Sequence, residues 1–253
     1  MKNYINWKLF FLLLALSLVS MACVFPYILS IQGELLKTIG QPIGLIFFAQ
    51  LVQSLILFSI VIFLGLFFTK KINFRLPLFE AILEKRDYKK ILKDILNKSV
   101  LIGAATAITI YVLDTIFIYL GTTISTHQNY TPIWQKLLAA VYGGATEEIL
   151  MRLFLMTFFI WLSTKIRGQN QPTKAEIIVS IFLAAIIFGL GHLPITASLT
   201  NLNPLIISRA IILNGIGGIV FGWLFWKKGL ESAMIAHFTA DIFLLTLLPL
   251  LFK

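Results

Sequence analysis

The chain is written in long apolar blocks separated by short polar ones. Seven runs are long enough to cross about 30 Å of hydrocarbon as helices: residues 9–30, 43–69, 99–121, 137–163, 177–192, 204–226 and 230–252. The fifth is the shortest. One stretch has a different texture. Between 70 and 98, Leu78, Phe79, Ile82, Leu83, Tyr88, Ile91, Leu92, Ile95 and Leu96 recur at helical spacing, while Lys85, Lys89 and Lys93 run along another side. A basic amphipathic helix beside a bilayer lies in the headgroup layer; the alternative is a docking site for an anionic substrate. The expected fold is therefore all-α: one integral membrane domain over 1–253, a polytopic transmembrane helix bundle of about seven spans plus an amphipathic interfacial helix. An eighth span, or a re-entrant segment, would move the carboxyl end to the other side.

Composition supports the membrane reading. Of 253 residues, 58% are hydrophobic and 13% charged, against roughly 45–50% apolar in a soluble domain. The net charge of +10 would suggest nucleic acid in a soluble protein. Here it reflects topology, because basic residues gather in cytoplasmic loops. With the amino terminus inside, Lys2, Lys8, nine residues in 70–98, Lys165, Arg167, Lys174, Lys227 and Lys228 place 16 of the 21 basic residues on that side. Lys37 and Lys253 lie outside, and Lys136, Arg152 and Arg209 lie in or at the edges of spans. The expectation is a multi-pass protein of the cytoplasmic (inner) membrane, amino terminus cytoplasmic, with lipids rather than nucleic acid as partners. The first run exceeds a signal h-region of about 7–15 residues and is taken as an uncleaved span. The single Cys23 excludes an internal disulfide framework and a Cys-based zinc site.

The chemistry begins at Glu147-Glu148-Ile149-Leu150-Met151-Arg152, near the middle of the fourth run. Glu and Arg at the centre of a membrane helix each cost about 3 kcal/mol, so three unpaired charges approach about 9 kcal/mol. Glu148 and Arg152 are four apart and stack on one helix face as a pair. Glu147 is rotated about 100° away and must face a neighbouring helix. Few groups can meet it. His192 closes Phe188-Gly189-Leu190-Gly191-His192, and His237 and Asp241 share a face of the seventh run. A carboxylate beside an imidazole fixes its tautomer. Asp114 and Arg209 form a candidate structural pair, and Gly143, Gly144, Gly189, Gly191, Gly215, Gly217, Gly218 and Gly222 allow close helix approach. His127, in the loop after the third run, faces solvent. Pro194 breaks the helix after His192.

Glu-Glu-x-x-x-Arg, Phe-x-x-x-His and His-x-x-x-Asp, in that order on separate runs, resemble the motifs of the CPBP family, the CAAX prenyl endopeptidases and bacteriocin-processing proteins also called Abi. The resemblance covers about 134–241, the expected catalytic core. It implies a glutamate-dependent intramembrane endopeptidase. By position, Glu147 activates water with help from His192, while His237 and its partner Asp241 stabilise the oxyanion. Glu148 and Arg152 are the supporting pair. Asp241 stands where the prenyl-processing branch has Asn. An ionised Asp cannot donate to an oxyanion, so Asp241 either orients His237 or carries a proton itself.

Glu147, His192, His237 and Asp241 form a possible zinc set with an open position. The resemblance favours a metal-free mechanism, so no cofactor is required and zinc is the alternative. The His-Glu-x-x-His signature and Gly-x-Ser-x-Gly are both missing. The implied substrate is a membrane-associated peptide or protein: a bacteriocin or signal-peptide precursor, or a protein linked to immunity. No residue requires prenylation, and the sequence leaves the oligomeric state open. Two rivals use the same polar residues. One is a non-enzymatic binding or immunity protein. The other is a transporter with Glu147, Asp114 and Asp241 as a proton relay. The enzyme reading expects Glu147 and both histidines around one cavity, within direct or one-water reach.

Overall fold

The computed structural model describes residues 5–122 and 131–252; His127 lies outside them. Helices α1 (Trp7–Thr38), α2 (Ile43–Lys71), α3 (Pro77–Leu83) and α4 (Tyr88–Tyr119) come first. A single rod follows, Ile133–Ile166, made of α5 (Ile133–Tyr142), two π-helical stretches (Gly143–Glu147 and Ile149–Met156) and α6 (Thr157–Ile166). Then come α7 (Lys174–Gly191), α8 (Leu193–Leu199) and α9 (Pro204–Lys228). The last rod is α10 (Leu230–Ile242), a π-helical turn (Phe243–Leu247) and α11 (Leu248–Leu251). Among the described residues, seven of these rods are long and apolar enough to cross a membrane.

Their ends pass the apolar runs because capping groups and polar turns extend a helix beyond its hydrophobic part. Asn203 caps α9 by accepting from the Ile206 N–H at 2.9 Å. Thr173 and Glu176 form a capping box on α7. The amphipathic segment 70–98 is divided. Its first part is the short α3, with Leu78 and Ala81 buried. Lys85 takes a positive φ of 55°, and from Tyr88 the chain is already α4, continuous with the third span. Helix α7 ends at Gly191, and α8 resumes with Pro194 in its first turn, where a missing N–H costs nothing.

Apolar side chains cover the outside of the bundle as well as fill its core. Phe48, Ile60, Phe63, Val112 and Ile116 are exposed on outer helix faces, as lipid contact requires. In the interior, α9 packs against α7, α4 and α10, α10 also meets the π-helical turns of the fourth rod, and α1 runs beside α2 and α5. Small residues set the tightest contacts. A Cβ at Gly218 would sit 2.7 Å from Ala185, and one at Gly189 would sit 2.7 Å from the Ile211 backbone, so α7 and α9 touch at two levels. Gly191, by contrast, has open space at its Cβ position. Polar ties add register. Ser99 and Ser232 share a hydrogen bond at 2.7 Å between α4 and α10, and Arg209 Nε donates to Asp114 Oδ1 at 2.6 Å, the pair expected between the third and sixth spans.

Gly103 on α4 lies directly against the carbonyl of Ala236, the residue before His237. Backbone cannot yield as a side chain does. Gly103→Ala is therefore expected to cost about 3 kcal/mol, the upper end for overpacking, whereas Gly33→Ala, with nothing within 4 Å, leaves stability within about 0.5 kcal/mol. Thermal unfolding of both variants in detergent checks this.

Candidate active site

The fourth rod carries Glu147 and Glu148 at the junction of its two π-helical stretches. The local sequence Gly143-Gly144-Ala145 has almost no side-chain bulk. The Thr146 hydroxyl is hydrogen-bonded to that of Ser20 on α1. Small residues and a lateral tie let the turn widen to the i→i+5 pattern, which recurs at functional sites. A wider turn rotates less per residue than an α-helix, so adjacent side chains diverge less.

That geometry changes what the two glutamates do. The α-helical expectation sent Glu148 to Arg152 and Glu147 elsewhere. The structure keeps the Glu148–Arg152 pair and turns Glu147 to a neighbouring helix, and in addition both glutamates reach His237. Glu148 Oε1 accepts from His237 Nδ1 at 2.7 Å and lies 3.0 Å from Arg152 Nη1. Glu147 Oε2 lies 3.7 Å from His237 Nε2. Asp241 Oδ1 is also 3.7 Å from Nε2. The carboxylate that orients the imidazole is thus Glu148, not Asp241. With Nδ1–H directed to Glu148, Nε2 is the nitrogen presented to the two remaining carboxylates.

Burial divides the cluster. The Glu148 side chain is 0% exposed and that of Arg152 2%, while Glu147 and Asp241 keep 21% and 22%. The inner half is a closed charge chain. Arg152 Nη2 donates to the carbonyl of Gly218 at 3.3 Å, and its guanidinium lies 5.1 Å from the Phe188 ring centre and 5.6 Å from that of Phe221. Phe221 also stacks on His237 at 4.6 Å, with 22° between the planes. Removing one partner from such a buried chain leaves an uncompensated charge. The outer half, Glu147, Asp241 and Nε2, is the part open to another molecule. Separations of 3.7 Å exceed hydrogen-bond length and suit a shared third atom such as a water oxygen.

His192 stands one step away. Its Nδ1 lies 2.8 Å from the Phe188 carbonyl, so Nδ1 donates and Nε2 carries the lone pair in the neutral ring. Its ring meets Phe188 edge-on at 4.7 Å, and Phe188 in turn meets His237 at 5.9 Å. Among the described residues, no hydrogen bond or ion pair joins His192 to Glu147, His237 or Asp241. The structure brings together three of the four expected catalytic residues and places the fourth beside them across one phenylalanine. No group of three or more His, Cys, Asp or Glu among the described residues has metal-holding geometry, and the alternative zinc set of Glu147, His192, His237 and Asp241 is not drawn together, since His192 stands apart from the other three.

Gly143, Gly217 and Gly218 stood out in the sequence only as small residues that permit close approach, and Phe221 did not stand out. A Cβ at Gly143 would collide with Asp241 Oδ2 and lie 3.2 Å from His237 Nε2. The space this glycine leaves is filled by the site itself. Phe221 has no motif around it, and the carbonyls of Gly217 and Gly218 serve Arg152 because no side chain screens them. A buried arginine has five donors to place, and these two carbonyls meet part of that need.

Glu148→Gln is expected to lower stability by about 3–5 kcal/mol, the cost of breaking a buried pair. Gly143→Ala should keep the fold while displacing Asp241 and His237, and so lower turnover more than thermal stability. Denaturation and peptide cleavage measured on the same two preparations test both.

Neither a search of curated proteins nor one of solved structures finds a match. Residues 129–243, which hold all three motifs and the whole charge chain on the fourth and seventh rods, match the model of the Type II CAAX prenyl endopeptidase Rce1-like family, in agreement with the resemblance carried by the motifs.

Proposed function

We propose that this protein is a glutamate-dependent intramembrane endopeptidase that hydrolyses a peptide bond in a membrane-associated peptide or protein. The Rce1-like match supports a CAAX-type protease. The observation that carries the glutamate mechanism is the arrangement around His237 Nε2, with Glu147 and Asp241 each 3.7 Å away on the accessible side and Glu148 holding Nδ1 from behind.

In this reading Glu147 accepts a proton from a water held between the carboxylates and the imidazole. The resulting hydroxide attacks the amide carbon, and a tetrahedral oxyanion forms. His237, when protonated on both nitrogens, donates Nε2–H to that oxygen. The proton held by Glu147 passes to the amide nitrogen, the C–N bond breaks, and the amine leaves. Arg152 touches no reacting atom; it offsets the charge of Glu148 and keeps His237 in place. His192, with its Nε2 lone pair free, lies where it can assist water or bind the substrate backbone. No metal enters any step. The substrate class includes bacteriocin or signal-peptide precursors, and the membrane is the inner one, with the amino terminus cytoplasmic.

Glu147→Gln separates an enzyme from a binding protein. The variant is expected to lose at least about 100-fold in cleavage rate, as loss of a general base does, while it still co-purifies with the peptide in liposomes. A peptide library drawn from membrane proteins of the host supplies the substrate, with cleavage read by mass spectrometry. Unchanged cleavage by the variant overturns the assignment of Glu147. Proton-coupled flux in the same liposomes favours the transporter.

A further inference from the structure

At the end of the bundle where basic residues gather, a cavity of about 680 Å³ opens between the connector after α2, the start of α4 and the end of α9. Its size falls within the roughly 300–1,000 Å³ of small-molecule sites. Its rim carries excess positive charge, with Arg75 and Lys90 on separate elements and Lys228 paired to Asp94 on a third. The acid on the wall, Asp94, is already occupied by Lys228 at 2.8 Å and by Lys98 at 2.9 Å. Arg75 has only a distant acid, Glu80 at 3.9 Å. Asn73 and Gln171 add neutral hydrogen-bonding groups.

The inner wall is different. Phe74 and Phe225 meet edge-to-face at 5.3 Å, Ile91 and Ile95 continue the apolar surface, and Lys227 lies 3.5 Å from the ring centre of Trp226. A ligand that fills this cavity therefore has an anionic head and an apolar body. We propose that it binds the phosphate headgroup and the first part of the acyl chains of an anionic phospholipid. The position fits. Helices α2 and α9, both apolar spans, end at the cavity, which puts it at headgroup depth. The basic residues make this the cytoplasmic side, and anionic lipids concentrate in that leaflet. Arg pairs with phosphate in bidentate fashion, and Lys binds it as a point charge. A soluble phosphate would use the rim and leave the aromatic wall bare.

The site is separate from the catalytic cluster. Gly229, on its wall, directly precedes α10, and His237 lies eight residues on, about 12 Å along the helix. A bound lipid would brace α4 and α9 beside the helix that carries His237.

The test uses the full chain purified in neutral detergent, as wild type and as Arg75→Gln/Lys90→Gln. Phosphatidylglycerol, phosphatidylcholine and water-soluble glycerol phosphate are added separately. The readouts are the thermal midpoint and the lipid retained in native mass spectrometry. Phosphatidylglycerol is expected to raise the wild-type midpoint and to bind the variant about tenfold or more weakly, since each basic group near the surface contributes separately. Phosphatidylcholine should have little effect on either protein. Equal retention of phosphatidylglycerol by both proteins, or equal retention of the two lipids by the wild type, overturns the proposal. Glycerol phosphate as effective as phosphatidylglycerol points instead to a soluble anion and also overturns it. If the double variant does not fold, Lys90→Gln alone, at an exposed position, carries the comparison, with Lys37→Gln at the opposite end as its control.

Discussion

A guanidinium, a carboxylate and an imidazole in line, buried almost completely, are the constraint that the rest of this bundle serves. Arg152, Glu148 and His237 come from two helices far apart in sequence, yet Glu148 Oε1 accepts from His237 Nδ1 at 2.7 Å and forms an ion pair with Arg152 Nη1 at 3.0 Å. In a medium of low dielectric, charges at these distances interact strongly, and each is costly alone. The fourth and seventh rods cannot slide or rotate past one another without separating them. Phe188 and Phe221 close the chain from the sides by lying against Arg152 and His237. The same link that fixes helix register thus fixes the direction of His237 Nε2, which couples the stability of the fold to its chemistry.

The open half of the cluster follows from the closed half. With Nδ1 committed to Glu148, Nε2 has one direction left, and Glu147 and Asp241 converge there from opposite helices. The π-helical turns make this convergence possible by bringing adjacent glutamates to the two nitrogens of one ring. Gly143 leaves the room that Asp241 and His237 occupy. The tie from Thr146 to Ser20 on α1 holds the widened turn from behind. Helix α1 lies outside the family match, so part of the support for the site comes from a segment with no motif of its own.

The helical bundle was legible because membrane spans must be long and apolar, and few other patterns satisfy that. Element ends were less so, since Tyr88–Lys98 is polar by composition but helical by continuity with the span that follows. Glu147, His237 and Asp241 could be named because ionisable residues within apolar runs are scarce. Their partners were harder. Helical spacing paired Glu148 with Arg152, as the structure has it, but gave no sign that the same carboxylate also reaches His237. Phe221 is one of 22 phenylalanines, and nothing local separates it from packing residues; Gly143 lies one turn before Glu147, but nothing local says that Asp241 and His237 fill the room it leaves.

The central claim is that Glu148 acts on the reaction through His237 and not independently of it. A double-mutant cycle on cleavage rate, with Glu148→Gln, His237→Gln and the two combined, tests this most directly, because residues that work as a unit are not additive. The account predicts that the double variant cleaves a membrane peptide no more slowly than the worse single variant. Losses that multiply, each substitution costing its full factor in the presence of the other, would contradict it.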